Sequence, residues 1–472
     1  MAIQGRCPGH PLPAGVYLTS TRYRPDPKIL ELGPDFYDAV EPARFPQCTL
    51  RFANERWANR IGLELAEDDW DRHFCRFEPL PANLTEPLAL RYHGHQFRVY
   101  NPDIGDGRGF TFAQLRDDKG RLLDLGTKGS GQTPYSRTAD GRLTLKGGVR
   151  EVLATEMLEA LGVNTSKTFA LFETGEALER GDEPSPTRSA VLTRLSHGHI
   201  RIGTFQRFAF FGQADNLKAL TRYCLANLYD KPGDDPLQLF DLVSQATAML
   251  AASYLASGFV HGVLNSDNIN ITGESFDYGP WRFTPEWDPE FTAAYFDHYG
   301  LYAFGRQPEA IHWDLAQLGG SLSLLAEGTA LSDMLAGWSQ RFEQAMVEAM
   351  LRRLGVAQGK DDRQLTGALI RALATRAYPI DLIFFDWRGG HDPGADAYPA
   401  EPFRELARLL QGRERPRTHA YWSDAEPCSM HIDEVEAIWS AIAERDDWQP
   451  FEEKVTAVRR MGEAMEQDAP GR

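Results

Sequence analysis

Apolar residues recur with two different periods. Between residues 91 and 204 they come in short runs bounded by turn formers, which predicts strands over 110–115, 122–127, 168–172 and 190–195. Asp117, Asp118, Lys119 and Gly120 separate the first two, so a hairpin is expected there. One helix interrupts this region from about Gly148, with Val149, Val152, Leu153, Met157 and Leu161 at helical spacing and Gly162 placed as its C-terminal cap. After residue 215 the period becomes helical. Leu239, Leu242, Val243, Ala246, Leu250 and Tyr254 define a helix over 239–256 closed by Gly258, and further helices are expected over 311–326, 331–354, 362–377, 402–411 and 432–444. Residues 1–85 are rich in proline and aromatics with little periodicity, reading as an irregular packing extension with short helices around 42–59. The Gly/Pro/Asp-rich stretch 389–402 reads as a linker.

These elements divide the chain into an N-terminal wrapping extension (1–85), a mixed sheet lobe (86–214), a helical lobe (215–330) and a helical C-terminal extension (331–472). Sheet lobe first and helical lobe second is the order of a protein-kinase-like bilobal fold of the α+β class. Composition narrows the partners. With 42% hydrophobic residues the chain can offset its ordering entropy, and with 50 Lys plus Arg against 67 Asp plus Glu its net charge of −17 repels phosphate backbones and anionic lipid. Neither nucleic acid nor membrane is an expected partner. Residues 1–7 carry no basic and apolar leader, and no run of about 18 uninterrupted apolar residues occurs. The cysteines Cys7, Cys48, Cys75, Cys224 and Cys428 are scattered and never spaced Cys-x-x-Cys, so no disulfide framework or zinc ribbon is expected and a cytoplasmic location is the default.

Three constellations could carry chemistry. Gly105, Asp106, Gly107, Arg108 and Gly109 precede a strand, and closely spaced glycines let backbone N–H groups approach phosphate oxygens, although a plain turn has the same composition. Lys128 ends the strand over 122–127, and Glu151 falls in the first turn of the next predicted helix. Either is alone a solvated charge, but the order loop, lysine, helical glutamate is that of a phosphate-binding ion pair. The third runs from His261 to Asn268 and on to Asp277, Tyr278 and Gly279. A kinase catalytic loop, His-Arg-Asp with an Asn seven residues after the His, puts its metal-binding Asn at Asn268, and Asp277 stands where a kinase has its metal-binding Asp. An amide and a carboxylate oxygen are hard ligands suited to Mg²⁺ or Mn²⁺. The kinase base position, however, is Val263, and the nearest carboxylate in the loop is Asp267.

Tyr92-His93-Gly94-His95-Gln96-Phe97, Gly105-Asp106-Gly107-Arg108, the segment Lys128 to Arg137, His199-Ile200-Arg201 and the segment His261 to Gly279 together resemble the selenoprotein O family of pseudokinase protein adenylyltransferases. The resemblance implies ATP bound upside down relative to kinases and AMP passed to Ser, Thr or Tyr hydroxyls of proteins; nothing in the sequence fixes the base, so the same geometry admits UTP and UMP transfer. It implies that Lys128, paired with Glu151, binds phosphate. Gly105, Gly107, Arg108, Asp140 and Gly141 would line the nucleotide, Arg194 and Arg201 would grip its terminal phosphates, Asn268 and Asp277 would hold the metal, and Asp267 would be the general base. Three positions depart from the family pattern: His93 before Gly94, Arg98 after Phe97, and Thr127 before the lysine. The last cysteine, Cys428, lies 44 residues from the end (472 − 428), so a terminal redox motif is not expected. His93, His95, His197 and His199 lack Cys or carboxylate partners at ligand spacing and are expected to cap helices or hydrogen-bond within loops. A kinase-like γ-phosphotransferase and a silent nucleotide-binding scaffold are the alternatives on the same fold.

Overall fold

The structure is a computed structural model describing residues 22–181 and 183–469; Cys7 and the reading of residues 1–7 lie outside them. Its strands are β1 (Tyr37–Ala39), β2 (Thr49–Ala53), β3 (Leu88–Leu90), β4 (Gly94–Gln96), β5 (Val99–Asn101), β6 (Thr111–Arg116), β7 (Leu122–Lys128), β8 (Leu143–Thr144), β9 (Lys167–Leu178), β10 (Thr187–Ser196), β11 (Phe259–Val260) and β12 (Arg282–Phe283). An antiparallel sheet runs β1-β3-β6-β7-β10-β9-β2, with β8 pairing β10 off this path. The four predicted strands form its centre. The turn between β6 and β7 closes as expected, the Asp117 carboxylate accepting from the N–H groups of Lys119 and Arg121.

Both outer strands, β1 and β2, come from the segment that reads as irregular. At three and five residues they are too short for alternation to register, and sheet pairing rather than local pattern makes them strands. Helices α1 (Glu55–Arg60) and α2 (Glu67–Phe74) follow β2, so the helical start expected near 42 begins only at Glu55, where Asn54 caps the Trp57 N–H. Trp57, Trp70 and Phe74 pack with Phe112 and Phe169 over one face of the sheet. Here Cys48 and Cys75 are joined in a disulfide, contrary to the expectation of no disulfide. Their 27-residue separation conceals a contact that the packing of α2 on β2 creates. Replacing Cys48 by Ser is expected to lower stability by about 3 kcal/mol in the oxidised protein. Urea unfolding with and without reductant checks this, since reduced wild type should match the variant.

Helix α3 (Leu145–Ala160) crosses the other face of the sheet. Thr144 caps it by accepting from the Gly147 N–H, so it starts three residues earlier than its apolar spacing indicates and Glu151 lies in its second turn rather than its first. Gly162 and Gly258 adopt the left-handed conformation expected of C-caps. The helical region holds α4 (Ile202–Phe210), α5 (Ala214–Tyr223), α6 (Pro236–Ser257), α7 (Gln307–Leu322), α8 (Gly328–Ala336), α9 (Trp338–Leu354), α10 (Asp362–Leu373), α11 (Ile380–Asp386), α12 (Glu401–Leu410), α13 (Ile432–Arg445) and α14 (Gln449–Gln467). The helix predicted over 331–354 is two, α8 and α9, divided at Gly337. Helix α6 is the one described helix long and apolar enough to cross a membrane by length and composition, and 67% of its apolar window is buried against its neighbours. Helices α13 and α14 return to pack on α3 beside the sheet. The stretch read as a linker is tied into the fold, with Gly389, Gly390 and Tyr398 buried.

Candidate active site

One cavity of about 350 Å³ opens between the sheet and the helical region. Strand register puts its basic groups together: in the β7–β10 pair Lys128 faces Leu192 and Gly126 faces Arg194, so Lys128 and Arg194 project from one face, two residues apart along the ladder. Glu151 on α3 meets Lys128 from behind. Their side chains are paired and almost wholly buried, and the Lys128 Nζ also lies 2.9 Å from Asp277 Oδ1. The Arg194 Nη1 is 3.5 Å from the same Asp277 oxygen and 3.8 Å from Glu151 Oε1.

Arg201, at the start of α4, donates from Nη2 to Asp106 Oδ1 at 3.2 Å and from Nη1 to the Asp267 main-chain oxygen at 3.0 Å. The Phe276 ring lies between the two arginines, 5.2 Å from the Arg194 guanidinium and 4.8 Å from that of Arg201. Burial would raise the Asp277 carboxyl, but Lys128, Arg194, Arg108 and Arg201 outweigh it and hold this group well below the usual carboxylate range. Asp267, in a 3₁₀ turn (Ser266–Asn268), behaves oppositely. Burial pushes its carboxyl up to about 6 against the pull of Arg201, and its Oδ1 has no hydrogen-bond partner.

The cavity wall thus contains Gly105, Gly107, Arg108, Lys128, Arg194, Arg201, Asp267 and Asp277. Asn268 stands beside Asp267 with its Nδ2 donating to the Val263 carbonyl, which leaves its amide oxygen as the donor atom for a cation. The structure does not bring Asp140 and Gly141 to the wall. Asp140 is exposed and paired with Arg180 at 2.7 Å, and the Gly141 carbonyl accepts from the Gly131 N–H. Nor does Arg98 touch the glycine loop. It sits at the β4–β5 turn, paired with Glu309.

This arrangement of ion pair, two arginines and a buried loop carboxylate accompanies a clear likeness to known proteins. The family described as "Protein adenylyltransferase SelO" matches residues 19–396. The chain belongs to this family. Relatives named "Protein nucleotidyltransferase YdiU" are similar along most of its length. That of Gloeobacter violaceus is 43% identical over 468 residues, covering 92% of this chain and 95% of the relative. That of Synechocystis sp. is 40% identical over 465 residues (92% and 97%), and that of Vibrio cholerae 36% over 343 residues (72% and 69%). The chain folds accordingly, as a kinase-like sheet lobe with a helical region behind it.

The periodicity of the sequence does not disclose the short β4–β5 hairpin as a wall of the site. It braces the loop that carries Asp267: the His95 N–H donates to Ser266 Oγ at 2.7 Å and the Phe97 N–H to Asn265 Oδ1 at 2.9 Å. A Cβ on Gly94 would lie 2.9 Å from Asp267 Cβ and Oδ1, so only glycine leaves that carboxylate its place. The motif around Gly94 was the available signal, without a role attached. Tyr135 was also missed. Its hydroxyl bonds to Asp38, which holds the ring on the glycine loop, where a Cβ on Gly105 would come within 2.5 Å. The glycines of that loop therefore serve close packing as well as access to the backbone. His93, His95 and His199 all place ring nitrogens in hydrogen bonds, to Tyr100, Gln206 and Asp124.

Proposed function

We propose that the protein is a metal-dependent protein adenylyltransferase, moving AMP from ATP to a Ser, Thr or Tyr hydroxyl of a protein and releasing pyrophosphate. The observation that carries this reading is the convergence of Lys128, Arg194 and Arg201 on the Asp277 side of the cavity, with Asp267, whose Oδ1 has no hydrogen-bond partner, in the same wall and Val263 at the kinase base position. In this reading residues 86–214 form the nucleotide lobe and 215–330 the catalytic lobe, flanked by the extensions 1–85 and 331–472.

Lys128, oriented by Glu151, binds phosphate oxygens, and Arg194 and Arg201 hold the terminal phosphates through planar guanidinium donors. Asp267 takes the proton of the acceptor hydroxyl as its oxygen attacks the α-phosphorus. The bond from that phosphorus to the bridging oxygen breaks, and pyrophosphate leaves with the charge the two arginines stabilise. Asn268 and Asp277 offer the hard oxygen donors that suit Mg²⁺ or Mn²⁺. The cation would neutralise phosphate charge that the protein's own cations, already paired with Glu151, Asp277 and Asp106, meet only in part.

Incubation with ATP labelled at the α or the γ phosphate tests the reaction. Label is expected in protein from the α position only, and entry from the γ position alone would establish the phosphotransferase alternative instead. Running the same assay with UTP decides between AMP and UMP as the transferred group. Gly94→Ala, which pushes on the Asp267 carboxylate, is expected to lower kcat about 10-fold or more while leaving ATP affinity unchanged. Steady-state kinetics with a separate nucleotide-binding measurement reads both quantities.

A further inference from the structure

Arg194 is held by a buried polar line that begins at His199, itself in the cavity wall, and runs away from the cavity. Its Nε donates to His199 Nε2 at 3.2 Å; His199 Nδ1 lies 3.1 Å from Asp124 Oδ2; and Gln114 Nε2 donates to Asp124 Oδ1 at 2.6 Å and to the Tyr223 hydroxyl at 3.2 Å. The Gln114 Oε1 in turn accepts from the Ile29 N–H at 2.6 Å. Arg194, His199, Asp124, Gln114 and Tyr223 are all buried.

The donor and acceptor roles along this line leave one solution. Arginine has no acceptor, so His199 Nε2 must be the unprotonated nitrogen and Nδ1 must carry the proton given to Asp124. A carboxylate already holding the Gln114 amide is the group that fixes such a tautomer. Burial, partly opposed by Asp124, lowers the His199 pKa and keeps the ring neutral, as an acceptor facing a guanidinium must be. Strand β7 makes room for it: a Cβ on Gly126, the residue opposite Arg194 in the ladder, would lie 2.4 Å from His199 Nε2.

We infer that His199, set in one tautomer by Asp124, is a positioning residue that aims the Arg194 guanidinium at the terminal phosphates of the bound nucleotide. Arg194 faces Asp277 and Glu151 through Nη1 and His199 through Nε; without the Nε contact the carboxylates hold only one end of the guanidinium, and its plane is no longer fixed for the ligand. This rests on the functional reading above, in which Arg194 meets the phosphates beyond the transferred one. The consequence is selective: loss of His199 weakens a triphosphate and leaves a monophosphate untouched.

The test compares His199→Asn, His199→Gln and His199→Leu with wild type by calorimetric titration with ATP and with AMP, thermal melts confirming the fold. The Asn amide nitrogen replaces Nδ1 and keeps Asp124 but cannot reach Arg194. The Gln amide oxygen replaces Nε2 and can accept from it. ATP affinity is expected to fall about 10-fold in the Asn and Leu variants and to remain within about threefold of wild type in the Gln variant, with AMP affinity equal in all four proteins. Parallel weakening of ATP and AMP, or an Asn variant that binds ATP as well as the Gln variant does, overturns the inference. If a substitution at 199 unfolds the protein, Asp124→Asn carries the test, expected to weaken ATP and spare AMP; equal effects on both overturn the proposal. A wild-type protein that binds no ATP overturns the functional reading itself, and this inference with it.

Discussion

Replacing Asp277 by Asn is expected to lower AMP transfer by roughly 10²–10³-fold or more without unfolding the protein. Asp277 adopts a left-handed backbone, φ 63°, which Asn tolerates better than most residues, so the substitution removes charge rather than conformation. Four basic side chains, Lys128, Arg194, Arg108 and Arg201, act on this carboxylate, and it is also the stronger of the two proposed cation donors. The variant therefore loses the anionic donor and frees Lys128 from one of its two carboxylate partners. ATP alone should bind at least as well as before, whereas the dependence of ATP affinity on added Mg²⁺ or Mn²⁺ should largely disappear. Transfer of α-labelled AMP, together with nucleotide titrations with and without the divalent cation, measures both halves. Normal transfer by the variant would remove Asp277 from the mechanism.

Substituting Glu151 by Gln is expected to destabilise the protein by about 3 kcal/mol or more, because it leaves Lys128 as a buried cation with weaker compensation. Lys128 is 4% exposed and Glu151 1%, and the remaining carboxylate near Lys128 is Asp277 at 2.9 Å. Lys128→Met should be destabilising too, through the stranded Glu151 carboxylate, whose Oε1 already lacks a hydrogen-bond partner. The double variant should recover much of the loss, since a neutral pair of similar shape no longer has to desolvate charge. Chemical unfolding of the four proteins gives the coupling energy directly. Additive losses would show that Lys128 and Glu151 stand apart in solution. Both single variants are also expected to lose transfer, Lys128→Met because phosphate oxygens lose their buried cation and Glu151→Gln because that cation is no longer held in place.

The four central strands, α3, α6 and most later helices follow from periodicity, because long elements repeat their burial pattern often enough to be read locally. Lys128, Asp267, Asn268 and Asp277 are legible as candidates for another reason: chemistry at strand ends and tight loops needs fixed residue types at fixed spacing, and such loops are short. The pairing of Lys128 with Glu151 could be read from the order of elements, although the start of α3 at Thr144 moved Glu151 by a turn. What the local pattern could not contain is whatever depends on distant segments meeting. The edge strands β1 and β2 exist because the sheet offers them partners. The Cys48–Cys75 bond exists because α2 folds onto β2, and Asp140 lies exposed outside the cavity wall, paired with Arg180, 40 residues further on. Gly94 beside Asp267 and His199 beside Arg194 belong to the same class. Sequence alone determined which chemical groups this protein owns and the order in which its lobes present them. The tertiary structure decided which of those groups share one desolvated cavity, because burial, tautomer and charge pairing are properties of neighbours in space.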